Sequence, residues 1–220
     1  MKFSYAFAEM DNYLNQHLYT LTCHDMFELK NDFYKSVELL CGSTDNLTGI
    51  TELLIYRFMY HALNMTNPII NKSVQNGDIH LLNGHRYNGI NGRYQVPDIV
   101  IEQNAEIKYV ISIKNMLSFT TPTKHEKISS LVKELTFQNG RFTSAIQDIF
   151  RIENIRHGLH SHFNSLTIVF SKAPQKLEQA NKLIEQTFDW HKFLILEDNN
   201  RPLLTEIINH LHLNLNNSFV

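Results

Sequence analysis

Two short runs of alternating apolar and polar residues, Val96–Ile101 and Tyr109–Lys114, stand on either side of the polar turn Gln103-Asn104-Ala105-Glu106. β-Branched residues at period two around such a turn predict a β-hairpin. Side chains of a strand alternate between its two faces. Pro97, Ile99 and Ile101 therefore share one face, and Val96, Asp98, Val100 and Glu102 the other. On the second strand Tyr109, Ile111 and Ile113 lie opposite to Val110, Ser112 and Lys114. A turn that sets Asp98 across from Ser112 brings Asp98, Ser112 and Lys114 together. A carboxylate and an ammonium on a half-buried sheet face are costly, and converging charges of this kind are candidates for chemistry.

Elsewhere the hydrophobic period is helical. Residues 6–40 read as two helices broken near Thr20-Leu21-Thr22-Cys23, with Met26, Leu29, Phe33, Val37 and Leu40 on one face of the second. Gly42-Ser43-Thr44-Asp45-Asn46 breaks the pattern, and a further helix runs from about Thr48 to Leu63, ahead of Asn67-Pro68. Glu52 is expected in its first turn, where it either complements the helix dipole or points into a site. Asn-Gly occurs at 76–77, 83–84, 88–89 and 91–92, and it favours tight hairpin turns. Asp78–Leu82 is the expected first strand. Helices are expected over about 123–135 and 142–155, then buried strands at Leu166–Phe170 and Phe193–Leu196, with helices at Gln175–Phe188 and Pro202–Leu211. Antiparallel strands followed by crossover units predict an α/β fold, a mixed central β-sheet flanked by helices. With no linker in view, residues 1–220 read as a single domain, and 1–45 as a helical N-terminal extension to its core.

Composition narrows this little. The hydrophobic fraction is 43% and the charged fraction 19%, ordinary for a globular protein. No apolar run approaches a membrane span, and the first residues lack the long apolar stretch of a secretory signal. Two cysteines, Cys23 and Cys41, without a CxxC motif fit reduced thiols and a cytoplasmic setting. Charge adds more. The chain carries −2 overall, but residues 1–107 carry −5, residues 108–172 carry +5 and residues 173–220 carry −2. A positive block that starts on the second hairpin strand suits a polyanionic ligand. His85, Arg86, Tyr87, Arg93 and Tyr94 on the Asn-Gly turns, and Lys124 and Lys127 at the next helix start, are the residues expected to touch the phosphates and bases of such a ligand. His157, His160 and His162 cluster without a metal-ligand spacing and are expected on a loop after the 142–155 helix, and no HExxH, GxGxxG, P-loop or GxSxG motif occurs.

Pro97-Asp98, followed across the hairpin by Ser112-Ile113-Lys114, resembles the signature of the PD-(D/E)xK nuclease superfamily. The order of elements from residue 48 to 170 is similar to that family's αβββαβ core, as found in restriction endonucleases. The family has an acid two residues before the lysine, where this chain has Ser112. A subgroup of type II restriction endonucleases is similar, with Ser-x-Lys and a glutamate from the following helix. Here that glutamate would be Glu126, although the arginine that the subgroup carries after its lysine is missing from residues 115–119. The resemblance implies a Mg²⁺-dependent DNA endonuclease, with Mn²⁺ able to substitute. Asp98, Glu126 and the Ile113 carbonyl would hold the ion, Lys114 would orient the attacking water, and Glu52 would act from the outer shell or on a second ion. It implies a homodimer on a palindromic site in double-stranded DNA and no membrane partner. Two other readings stay open. One is a non-catalytic DNA-binding protein on the same fold, with Ser112 marking a lost metal site. The other is a repair or recombination nuclease that recognises DNA structure.

Overall fold

The computed structural model describes residues 3–43, 47–66, 73–89, 92, 94–117, 144–172, 182 and 184–213. Within them lie helices α1 (Phe3–Gln16), α2 (Cys23–Cys41), α3 (Thr48–Ala62), α4 (Ser144–Gly158) and α5 (Leu203–Leu211). The strands are β1 (Ser73–Asn76), β2 (Ile79–Asn83), β3 (Tyr87–Asn88), β4 (Tyr94–Gln95), β5 (Ile99–Gln103), β6 (Glu106–Met116), β7 (Asn164–Ser171) and β8 (His191–Ile195). Six of them form one mixed sheet in the order β1-β2-β5-β6-β7-β8. β1, β2, β5 and β6 pair antiparallel, and β6, β7 and β8 pair parallel. β3 and β4 make a separate two-stranded ribbon.

The helices divide between the two sheet faces as the strand alternation dictates. Ile99, Ile101, Ile111 and Ile113 belong to the large core with Leu14, Met26, Phe58 and Leu203, so α1, α2, α3 and α5 cover that face. Val100, Val110 and Leu82 belong to a second cluster with Ile152 and Ile155 of α4 and with Tyr87. The N-terminal helices thus share the main core rather than lying beside it. Thr22 caps α2 in a reciprocal box with Asp25, and Gly42 closes it in the left-handed region, which accounts for the break between the first two helices.

The hairpin has the expected placement with different ends. β5 starts at Ile99, so Asp98 sits just before the strand, and β6 runs on from Glu106 to Met116. Ile99 faces Ile111 and Val100 faces Val110, which carries Asp98 towards Ser112. The register shifts by one residue between Ile101 and Glu102; without that bulge Asp98 would stand opposite Ile111, so the bulge is what sets it across from Ser112. Asn104 and Ala105 both have positive φ, the conformation of the two central residues of a primed hairpin turn.

Three expectations need correction. Residues 79–83 form the second strand, not the first, because Ser73–Asn76 pairs with them across Gly77-Asp78. Its single buried residue, Val74, gave no alternation to read. Glu52 is the fifth residue of α3, past a first turn that holds no acid, so dipole compensation is a weak account of it. Of the clustered histidines, His157 lies in the last turn of α4, with His160 and His162 beyond it. The helix expected over 123–135 lies outside the described residues, as does most of the one expected over 175–188.

Candidate active site

Asp98 and Lys114 meet where β5 begins and β6 approaches its end. The Ile113 backbone N–H donates to Asp98 Oδ2 at 2.7 Å. This bond fixes the carboxylate across the hairpin and leaves Oδ1 without a hydrogen bond among the described residues. Lys114 projects from the sheet face under α4, two residues beyond Ser112. Its Nζ lies 3.1 Å from Asp148 Oδ2. Asp148 is on α4 in register with Ile152 and Ile155, so it occupies a core-facing position of that helix. Its side chain is 0% exposed. Arg151, one turn along, places Nη1 3.6 Å from Asp148 Oδ1. Asp148 is thus held by ion pairs, close to Lys114 and looser to Arg151, and neither of its oxygens has a well-aligned hydrogen bond among the described residues. Ser112 Oγ, on a 0% exposed residue, has none either.

The electrostatics tie a fifth group to this cluster. Burial pushes the Glu52 carboxyl upward, the neighbouring Asp98 charge adds to that, and Lys114 and Arg151 oppose it. Burial likewise pushes Asp148 upward; Lys114 and Arg151 hold it back, and Asp98 adds to the rise. Asp98, Asp148, Glu52, Lys114 and Arg151 therefore form one interacting group, drawn from α3, the β5–β6 hairpin and α4.

The sequence brought Asp98, Ser112, Ile113, Lys114 and Glu52 to this place. It did not bring Asp148 or Arg151. The signal for Asp148 was present, an acid on the apolar stripe of α4, where an unpaired charge is rarely buried. Lys124, Glu126, Lys127 and Arg93 lie outside the described residues. His85, Arg86 and Tyr94 are exposed, on the segment that links β2 to Asp98. Tyr87 is buried, and its hydroxyl donates to Glu102 Oε1 at 2.8 Å, so it anchors that segment to the sheet.

Among the described residues no three His, Cys, Asp or Glu side chains converge closely enough to hold a metal ion by themselves. The donor chemistry nevertheless suits a hard cation. Asp98 Oδ1 and the Asp148 carboxylate supply oxygens without a well-aligned hydrogen bond among the described residues, and Mg²⁺ commonly takes one or two carboxylates and completes its shell with water and substrate phosphate. No helix among the described residues is long and apolar enough to cross a membrane. Compared with protein-family models, with curated proteins and with solved structures, the chain matches none.

Proposed function

We propose that this chain is a metal-dependent DNA endonuclease of the PD-(D/E)xK kind, most simply a type II restriction enzyme acting as a homodimer in the cytoplasm. The observation that carries the reading is Asp98 at the start of β5 and Lys114 on the adjacent β6, with the buried carboxylate of Asp148 ion-paired to Lys114 at 3.1 Å. The order α3, β2-β5-β6 antiparallel, α4, then β7 parallel to β6 supports an αβββαβ core. Asp148 answers the gap at Ser112, because it brings a carboxylate from the next described helix to the sheet face where the family keeps its acid. Glu126 remains the other candidate for that role.

Asp98 and Asp148, with the Ile113 carbonyl, are the groups that would hold Mg²⁺ or Mn²⁺. A cation there would polarise the scissile phosphate and ease ionisation of a bound water. Lys114, 3.1 Å from Asp148, donates to the attacking water or to the oxygen on which negative charge develops. The Ile113 N–H holds Asp98 in one rotamer, so the site is organised before substrate arrives. Glu52 acts from α3, across the mouth of the site. The exposed His85, Arg86 and Tyr94 contact the duplex beside it, joined by Arg93, Lys124 and Lys127.

One observation favours a non-catalytic reading. Lys114 pairs with Asp148 at 3.1 Å, an arrangement that also suits a scaffold that binds DNA without cutting it. Incubation of supercoiled plasmid with the protein and Mg²⁺ decides between them. Discrete fragments, lost in Asp98→Ala and Lys114→Ala while both variants stay folded, are the expected result. A mobility shift without cutting identifies a binding protein. Cutting confined to branched or damaged DNA identifies a structure-directed nuclease. Full activity in either variant removes the site.

A further inference from the structure

Arg151 has no task in the chemistry above. Its side chain is 30% exposed, whereas that of Asp148 is fully enclosed. At 3.6 Å from Asp148 Oδ1 it makes an ion pair and no hydrogen bond. Among the described residues nothing else holds the guanidinium. Its charge is felt by Glu52 on α3 as well as by Asp148 beside it on α4, and its own side chain is partly open to solvent. Lys114 is the inner cation, paired at 3.1 Å, and Arg151 is the outer one with donors to spare.

The charge balance shows what those donors are for. Three carboxylates, Asp98, Asp148 and Glu52, face two cations, Lys114 and Arg151, which leaves the ionised cluster at −1. A phosphodiester entering it is repelled. A divalent ion brings the cluster to +1, and one phosphate then neutralises it. Without Arg151 the same loaded cluster is neutral and offers the phosphate no net attraction. A planar fork of N–H groups also matches two phosphate oxygens, which a point charge does not.

We propose that Arg151 is the phosphate-clamping residue of this site, turning N–H groups that no described residue accepts from onto two oxygens of a DNA phosphate beside the one that is cut. The proposal rests on the nuclease reading and deepens it. Binding of a fluorescein-labelled DNA duplex is measured by anisotropy, with Ca²⁺ in place of Mg²⁺, over salt from about 50 to 200 mM. Wild-type protein is compared with Arg151→Ala and Arg151→Lys. The expected result is about tenfold weaker binding for Arg151→Ala, with a log K against log salt slope smaller by about one. Arg151→Lys is expected to keep the slope and to lose affinity and cleavage a few-fold, because charge survives and the fork does not. Thermal melts of both variants accompany the titrations. An Arg151 that only braces Asp148 would lower the melting temperature and leave the slope unchanged; that outcome overturns the proposal. If the wild-type protein neither binds nor cuts DNA, the nuclease reading falls and the clamp falls with it. If the wild type binds and Arg151→Ala binds equally well, the clamp alone is wrong.

Discussion

Asp148 sits where the apolar stripe of α4 would place another isoleucine. Ile152 and Ile155 on the same stripe pack against Val100 and Val110. An enclosed carboxylate there loses hydration that Lys114 and Arg151 restore only in part, and its upward-shifted pKa records that cost. Asp148→Asn removes the charge at constant shape. We expect the variant to lose about 100-fold or more in plasmid cleavage while its urea-unfolding free energy stays within about 1 kcal/mol of wild type. Retained cutting would return the missing acid to Glu126. Glu52 carries a related penalty. Its folded-state pKa lies above its unfolded one, so the unfolded state is favoured by its ionisation once pH exceeds both. Glu52→Gln should therefore stabilise the protein at neutral pH, by less than about 1 kcal/mol at this partly exposed position. The gain should vanish as pH falls through the folded and then the unfolded pKa. Unfolding curves at neutral pH and at pH near 4 test the sign.

At the scale of elements, the hairpin was readable because its alternation is long and its turn polar. The two-residue turn alone would pair Asp98 with Ile111; the shift at Ile101/Glu102, which the alternation does not reveal, moves it opposite Ser112. β1 was not readable, with four residues and one buried. Nor were β3 and β4, two residues each, whose pairing is fixed by packing on α4. The site was half legible for a similar reason. Asp98 and Lys114 are neighbours through strand pairing, which local sequence encodes, while Asp148 reaches them through a crossover that sequence order hides. Two substitutions test the local geometry. Ala105 holds φ 62° in the turn, a conformation that costs a side-chain-bearing residue about 1 kcal/mol. Ala105→Gly restores Asn-Gly and should raise stability by about 0.5 kcal/mol or more in a urea titration. Gly158 ends α4 against the ribbon, where a Cβ would stand 2.5 Å from the Asn88 carbonyl oxygen. Gly158→Ala must push the backbones apart and should cost about 1–3 kcal/mol in the same assay. If it is neutral, α4 and the ribbon are not in close contact in solution.

At the scale of the molecule, the two helical layers meet through strands that are buried on both faces, and β7 is enclosed along nearly its whole length. Apolar residues fill most of that interior, yet His191 of β8 lies inside it at 0% exposure. Its Nδ1 is 2.6 Å from Ser165 Oγ and its Nε2 3.3 Å from Thr167 Oγ1. Neutral imidazole needs one donor and one acceptor, and two hydroxyls supply both. The charged ring would be stripped of water, so burial lowers its pKa to about 3, with Lys192 adding to the shift. The unfolded chain offers the same histidine to solvent with a pKa near 6.5. Between those values the unfolded state holds a proton that the native state refuses. The stability tied to neutral His191 is complete above about pH 6.5 and is lost as pH falls towards 3. In that window one such group contributes up to about 1.4 kcal/mol per pH unit. Glu52 and Asp148, both pushed upward by burial, act with the opposite sign, so the histidine's share is read as the difference between wild type and a variant that lacks the ring. Urea unfolding across that window makes the comparison. His191→Gln, which keeps hydrogen-bonding atoms and cannot titrate, should start lower at neutral pH and lose less stability to acid than wild type, with a slope that differs by about one proton. An unchanged slope would mean that the ring is solvated in the native state and that the junction of β7 and β8 is more open than the fold indicates.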